Sequence, residues 1–130
     1  MKVVADTSVW INYFEGVASS ETDIPDQSLS NDTVVLGDIV LMETLQGIKN
    51  ERQFQKTTKY LQATEQVQML NPNLAVEYAV YYRILRGKGI TIRKSNDVII
   101  AGYCINQKLP LLQSDRDFKP FEEYFGLEVV

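Results

Sequence analysis

Residues 2–11 read KVVADTSVWI, and this stretch sets the fold class. The β-branched run Lys2–Ala5 predicts a buried strand at the start of the chain. The next three residues, Asp6-Thr7-Ser8, all favour a helix N-terminus, so a helix is expected over Val9–Glu15, ending at Gly16. An acid therefore stands directly between a strand and a helix, which is where ligands bind in open α/β proteins.

The remaining chain continues this alternation of strands and helices. Further strands are expected at Thr33–Leu36, Val67–Leu70 and Leu109–Leu112, with a possible last strand at Leu127–Val130. Helices are expected from Gly37-Asp38 to Gly47, from Glu51 to about Gln66, from a cap at Asn73 to Gly87 and from Ser95 onwards. A short helix or turn is expected at Asp117–Phe125, and a loop carrying a weak helix at 18–32. This order predicts an α/β fold in which helices cover a mainly parallel sheet of four to five strands on both faces. Residues 1–130 are expected to form a single domain.

The composition excludes several classes of chemistry. The chain has no histidine, which removes serine–histidine triads, histidine acid–base nucleases and histidine-bound zinc sites. The lone cysteine, Cys104, cannot form an internal disulfide and suits a reducing compartment. The net charge of −4 argues against a wholly basic nucleic-acid clamp but allows a local one. No apolar run reaches the length of a membrane span, and the early charges argue against a signal peptide, so a cytoplasmic protein is expected.

Five acids stand where a metal site could form. Asp6 follows the first strand, and Asp115 and Asp117 follow the fourth, so all three belong to one rim of a parallel sheet. Glu43 lies among apolar residues in mid-helix, and Asp97 lies in the first turn of an apolar helix. Clustered carboxylates repel one another, and a hard cation such as magnesium, which prefers oxygen ligands and keeps several waters, resolves that repulsion.

Each acid also has a purely structural interpretation. Asp6 could be only a helix N-cap, and Asp97 could be placed to favour the helix dipole. Glu43 could pair with a lysine or lie exposed, while Asp115 and Asp117 could be ordinary turn formers. The metal-site hypothesis therefore depends on the joint arrangement of these residues.

Four segments resemble the motifs of PIN domains, and especially the VapC-type toxins of VapBC toxin–antitoxin pairs. They are VADTSVWI at 4–11, GDIVLMETLQG at 37–47, NDVIIA at 96–101 and LQSDRDF at 112–118, in the family's order. The resemblance implies a three-layer α/β/α sandwich around a parallel sheet. It further implies a ribonuclease that uses magnesium or manganese, is blocked by an antitoxin and commonly forms a homodimer.

The resemblance also implies which residues would act. The acidic pocket would contain Asp6, Glu43, Asp97 and Asp115, with Asp117 as a helper. Possible donors that orient these acids are Ser8, Asn96 and Ser114. Ser114 stands where many relatives have threonine, which preserves the hydroxyl.

We hypothesise that magnesium, held mainly by Asp6 and Asp97, activates a water for in-line attack on an RNA phosphodiester. Glu43 and Asp115 would bind the ion directly or through water. Because this route does not use the 2′-hydroxyl as nucleophile, the expected product carries a 5′-phosphate.

Basic residues suggest where RNA could lie. Lys49, Arg52, Lys56 and Lys59 would form a stripe if a single helix carried them, although a solvated helix face explains the same spacing. Arg93, which is followed by Lys94, and Arg116, between two acids, are candidates for holding the scissile phosphate.

Two other enzyme classes with similar folds are disfavoured. A receiver domain needs an aspartate after its third strand, where this chain has Leu70-Asn71-Pro72. A haloacid-dehalogenase phosphatase needs Asp-x-Asp after the first strand, and Asp6-Thr7-Ser8 lacks the second acid. A catalytically inactive PIN-like module that binds RNA or protein remains the alternative.

Overall fold

The computed structural model describes residues 2–15, 33–114 and 116–130. The expected helix end at Gly16, the loop at 18–32 and Asp115 lie outside the described residues. The strands are β1 (Val3–Ala5), β2 (Val34–Gly37), β3 (Glu65–Val67) and β4 (Leu111–Leu112). The helices are α1 (Thr7–Phe14), α2 (Asp38–Gln46), α3 (Glu51–Gln62), α4 (Pro72–Gly87), α5 (Ser95–Gln107) and α6 (Lys119–Phe125), and a 3₁₀ turn at Arg116–Phe118 precedes α6.

All four strands pair in parallel, in the order β3-β2-β1-β4. The central strand β1 pairs with β2 at Val3↔Val34 and with β4 at Val4↔Leu111. The possible last strand at Leu127–Val130 is reduced to one parallel bridge, Leu111↔Val129. The parallel α/β architecture expected from the alternating pattern is confirmed.

Helices cover the sheet on both faces. Consecutive residues of β1 (Val3, Val4 and Ala5) are all buried, and so is every residue of β2. Because successive side chains of a strand point to opposite faces, this uninterrupted burial requires a layer of packing on each side. The β-branched composition that predicted these strands is therefore also what fills the two core layers.

The third strand lies earlier than expected. It spans Glu65–Val67 rather than Val67–Leu70, and the helix before it ends at Gln62 rather than near Gln66. A polar strand is possible here because β3 is an edge strand, in which Glu65 and Gln66 are exposed. The pattern of apolar residues alone therefore predicts this strand too far towards the C-terminus.

The cap of α4 also differs from the expectation. Asn71, not Asn73, is the N-cap, because its side chain accepts a hydrogen bond from the backbone N–H of Leu74 at 2.9 Å. Pro72 then occupies the first helical turn, where its fixed φ and missing N–H are tolerated. Pro72 therefore belongs to the start of α4 and not to the end of a strand.

Membrane-spanning helices are absent from the described ranges. None of the helices within 2–15, 33–114 and 116–130 combines the length and the apolar character needed to cross a bilayer.

We expect Gly102→Ala to destabilise the fold strongly. A Cβ at Gly102 in α5 would clash with Cδ1 of the Tyr78 ring. That ring is buried, and its hydroxyl donates to the Met69 carbonyl at 2.7 Å, so it cannot easily move aside. We expect the free energy of unfolding, measured by urea denaturation, to fall by about 2–3 kcal/mol.

The matched control is Gly87→Ala at the end of α4. A Cβ there meets no atom within 4 Å. We expect the unfolding free energy to stay unchanged or to rise by up to about 1 kcal/mol, since alanine favours helix more than glycine. Equal effects of the two substitutions would contradict the proposed α4–α5 packing constraint.

Candidate active site

Asp6 lies at the carboxyl end of the central strand β1. Its backbone N–H donates to the Leu112 carbonyl of β4 at 2.9 Å, which fixes its place on the sheet. It is the N-cap of α1, and its Oδ2 accepts hydrogen bonds from the Ser8 hydroxyl at 2.8 Å and the Ser8 N–H at 3.4 Å. Asp6 therefore does cap the helix, as its structural interpretation expects. Capping also explains why the chain turns from strand to helix at this point.

The capping carboxyl is nevertheless almost completely buried, with 4% of its surface exposed. Burial raises the pKa of the Asp6 carboxyl above its ordinary value. Hydrogen bonds from Ser8 and from the Thr7 N–H oppose this rise in pKa, and the negative charge of Glu43 adds to it. A nearby cation would favour the charged carboxylate again, which gives the site a physical reason to bind one.

Glu43 lies in the middle of α2 and is half-buried. Its Oε1 accepts a hydrogen bond from the Thr7 hydroxyl at 2.8 Å. It forms no ion pair with any described residue, so the alternative of a lysine partner finds no support in that part of the chain. α1 packs against α2, which brings Glu43 within electrostatic reach of Asp6.

A chain of hydroxyl groups leads from β4 to Asp6. Ser114, two residues after β4, donates its hydroxyl to the Ser8 hydroxyl at 3.1 Å, and Ser8 in turn donates to Asp6. Two of the three candidate donor residues thus belong to the same network. Asn96, the third, is half-buried in the first turn of α5.

Asp97 is buried in the first turn of α5, with 6% of its surface exposed. Cys104, two turns along the same helix, shares its face, since seven residues make nearly two full turns. Burial and the negative charge of Asp6 raise the pKa of the Cys104 thiol to about 12. Cys104 is therefore a protonated, buried residue of the core.

The structure describes only one of the two remaining acids, Asp115 and Asp117. Asp115 lies outside the described residues. Asp117 lies in the 3₁₀ turn, where its Oδ1 is 3.6 Å from the guanidinium of Arg93. Arg116 is exposed in the same turn. The site thus places a basic residue beside a candidate helper acid.

A complete metal-ligand cluster is not formed by the described residues alone. Within 2–15, 33–114 and 116–130, no three acidic or thiol side chains come close enough together to hold an ion. Magnesium, however, commonly uses one or two protein carboxylates and keeps several waters. The buried Asp6, the nearby Glu43 and the surrounding hydroxyls form a set of oxygen donors that fits such an ion, and the convergence of all four acids remains a prediction.

The basic stripe is shorter than expected. Arg52, Lys56 and Lys59 are exposed on α3, but Lys49 precedes the helix, whose N-cap is Asn50. Asn50 caps the N-terminus of α3, because its side chain accepts a hydrogen bond from the backbone N–H of Gln53 at 2.9 Å. A single helix therefore carries three of these four cations.

Thr7 is the residue that the sequence patterns missed. The local pattern assigns Thr7 only to a capping segment, yet its hydroxyl contacts Glu43. A local signal existed, since three successive side chains after β1 (Asp6, Thr7 and Ser8) carry oxygen. The partner of Thr7 lies 36 residues further along the chain, and no local pattern identifies it.

Comparisons with known proteins agree with this architecture. A VapC ribonuclease of Mycobacterium bovis, Mb1587, is 26% identical over 121 residues, which cover 89% of this chain and 88% of that protein. Ribonuclease VapC11 of Mycobacterium tuberculosis matches with the same identity of 26% and the same coverage of 89% and 88%.

Solved structures share the fold. A chain of the DNA-bound VapBC structure from Salmonella typhimurium superposes with a TM-score of 0.78 at 19% identity, covering 100% of this chain and 97% of that chain. A chain of VapBC2 from Rickettsia felis, bound to a DNA fragment from its promoter, superposes with a TM-score of 0.76 at 21% identity, covering 100% and 98%. The family model for the PIN domain matches residues 3–123, which include the acids at positions 6, 43, 97, 115 and 117. The chain therefore belongs to the PIN-domain family.

Proposed function

We propose that this chain is a metal-dependent endoribonuclease and the toxin of a type II toxin–antitoxin system. The observation that carries the proposal is Asp6, a buried carboxyl with a raised pKa that lies at the carboxyl end of β1 and close to Glu43. This acid pair belongs to a chain that the PIN-domain model matches over nearly its full length. Similar proteins named as VapC ribonucleases support the proposed activity.

The proposed partners follow from the same relatives. Several chains of similar fold come from VapBC structures, which supports a VapB-type antitoxin as the partner of this chain. We propose an RNA substrate, a homodimer, a cytoplasmic location and a single PIN domain over residues 1–130. The absence of histidine is consistent with this chemistry, because a metal-assisted route does not require an imidazole.

We propose magnesium as the ion, with manganese as a possible substitute. The donors near Asp6 are carboxylate and hydroxyl oxygens, which suit hard cations better than soft ones. A divalent cation bound here would supply a water of lowered pKa and would offset the negative charge that develops on the phosphate.

In this proposal each acid of the chain has a stated role. Asp6 and Asp97 are the main ligands, and Glu43 and Asp115 act directly or through water, with Asp117 as a helper. Ser8 orients Asp6 through its 2.8 Å hydrogen bond, and Ser114 supports Ser8. In-line attack by water would leave a 5′-phosphate on one product and a 3′-hydroxyl on the other.

The direct test is RNA cleavage by the purified protein. We expect cleavage in magnesium, none in EDTA, recovery when magnesium is restored, and products with 5′-phosphate ends. Cleavage that continues unchanged in EDTA, or products with 2′,3′-cyclic phosphate ends, would refute the metal-assisted mechanism.

Arg93 is our candidate for holding the scissile phosphate, and we expect Arg93→Ala to reduce cleavage by about tenfold. Its guanidinium lies beside Asp117 and is largely exposed, at 82%, so it can turn towards a bound phosphate. The affinity for manganese without RNA should change much less, because the positively charged Arg93 guanidinium is not expected to bind a metal cation. Lys88→Ala, which removes an exposed cation that lies over the Tyr124 ring, is the control. Equal losses of cleavage and of metal affinity in Arg93→Ala would contradict a phosphate-binding role.

A further inference from the structure

The first turn of α1 provides a hydroxyl group to each of two acids. Ser8 donates to Asp6 at 2.8 Å, and Thr7 donates to Glu43 at 2.8 Å. We propose that Thr7 is a positioning residue that holds the Glu43 carboxylate in the orientation in which it takes part in metal binding. This inference rests on the proposed function, since it assigns a role within the same site.

The position of Thr7 is fixed by the sheet. Thr7 is the first residue of α1 and directly follows Asp6, whose N–H is bonded to the Leu112 carbonyl of β4. Its β-branched side chain has few χ1 rotamers. The Thr7 hydroxyl is therefore a rigid donor whose location is set by β1 and β4.

Glu43 needs such a donor more than Asp6 does. Its side chain has three rotatable bonds, and it forms no ion pair with the described residues that would restrain them. The like charge of Asp6 acts against keeping the Glu43 carboxylate close. The hydrogen bond from Thr7 opposes both effects, because it restrains the carboxylate on the side of α2 that faces α1.

The hydrogen bond also leaves Glu43 able to bind a cation. An ionised carboxylate has about four lone-pair sites, and the Thr7 hydroxyl uses one of them on Oε1. Partners of this kind, which orient a ligand without touching the metal, commonly contribute about 10- to 100-fold to metal affinity or activity. Thr7 would then act through Glu43 and not on the RNA.

Two substitutions at Thr7 separate the hydroxyl from the shape of the side chain. Thr7→Val removes the hydroxyl and keeps the β-branched form, while Thr7→Ser keeps the hydroxyl. We expect Thr7→Val to raise the Kd for Mn²⁺, measured by electron paramagnetic resonance without RNA, by about tenfold. We expect Thr7→Ser to stay within about threefold of the wild type, because its hydroxyl can still reach Oε1.

A second measurement distinguishes positioning from general structural damage. In a Glu43→Ala background, Thr7→Val should cause no further loss of Mn²⁺ affinity, because the group that it orients is gone. Thermal unfolding in EDTA should show that both Thr7 variants fold, and Thr7→Ala replaces the valine variant if valine prevents folding.

Several outcomes would overturn the inference. Wild-type Mn²⁺ affinity in Thr7→Val, or the same loss with and without Glu43, would show that Thr7 does not act through this carboxylate. Either result, obtained with a wild-type protein that binds Mn²⁺ and cleaves RNA, would leave the proposed function intact. A wild-type protein that neither binds Mn²⁺ nor cleaves RNA would instead remove the proposed function, and the role of Thr7 with it.

Discussion

An Asp6→Asn variant is expected to lose RNA cleavage by about a thousandfold and to unfold at a higher temperature than the wild-type protein. A thousandfold loss corresponds to roughly 4 kcal/mol of transition-state stabilisation, which is reasonable for a main metal ligand. The gain in stability follows from burial, since the Asp6 carboxyl is 4% exposed and its pKa is raised. An uncharged amide of nearly the same shape avoids the cost of burying a charge.

The sign of the stability effect depends on pH. Because folding raises the pKa of Asp6, its stabilising contribution is fully present below the ordinary aspartate pKa of about 3.9. That contribution is lost as the pH rises through the raised pKa of the folded state. In EDTA at pH 7 we therefore expect Asp6→Asn to be more stable than the wild type and to have a higher Tm. The gain should shrink as the pH is lowered towards 4.

Calorimetry with and without magnesium checks this prediction. Magnesium should stabilise the wild type, because it binds the folded state, and should stabilise Asp6→Asn much less. Glu123→Gln, at an exposed position of α6, is the matched control and should change neither cleavage nor Tm appreciably. Wild-type cleavage by Asp6→Asn would remove Asp6 from the proposed metal site.

An Asp97→Asn variant is expected to lose cleavage by about a hundredfold or more, which corresponds to roughly 3 kcal/mol or more. Asp97 is buried in the first turn of α5. In the proposed function this carboxylate is the second main ligand, and the loss of cleavage tests that role. Asparagine retains the size of the side chain, so the loss should come from the missing charge.

The matched control for Asp97 is Asp38, which also lies in the first turn of a helix. Its Oδ1 accepts the N–H groups of Ile39 at 2.9 Å and Met69 at 3.0 Å, which is a structural role. Asp38→Asn keeps an oxygen acceptor, so we expect cleavage within about threefold of the wild type. Single-turnover cleavage at several magnesium concentrations measures both variants. A similar loss in both would mean that Asp97, like Asp38, contributes to the fold alone.

The sequence by itself determined the fold class and the place of the first acid. Val3, Val4 and Ala5 form an apolar, largely β-branched run followed at once by capping residues, so strand, N-cap and helix follow from neighbouring residues. Neighbouring residues likewise predicted that Glu43 lies in the middle of a helix and Asp97 in a first helical turn. These features were predictable because each depends on a few consecutive residues.

Only the tertiary structure decided which of these residues meet. Glu65 and Gln66 look too polar for a strand, yet they pair with β2 because the third strand lies at the sheet edge, where one side can face water. Thr7 reaches Glu43 across 36 residues, and Ser114 reaches Ser8 across 106, through the parallel pairing of β1 with β4 and the packing of α1 on α2. Local patterns carry no information about such distant partners, because those contacts exist only after the strands have taken their order in the sheet.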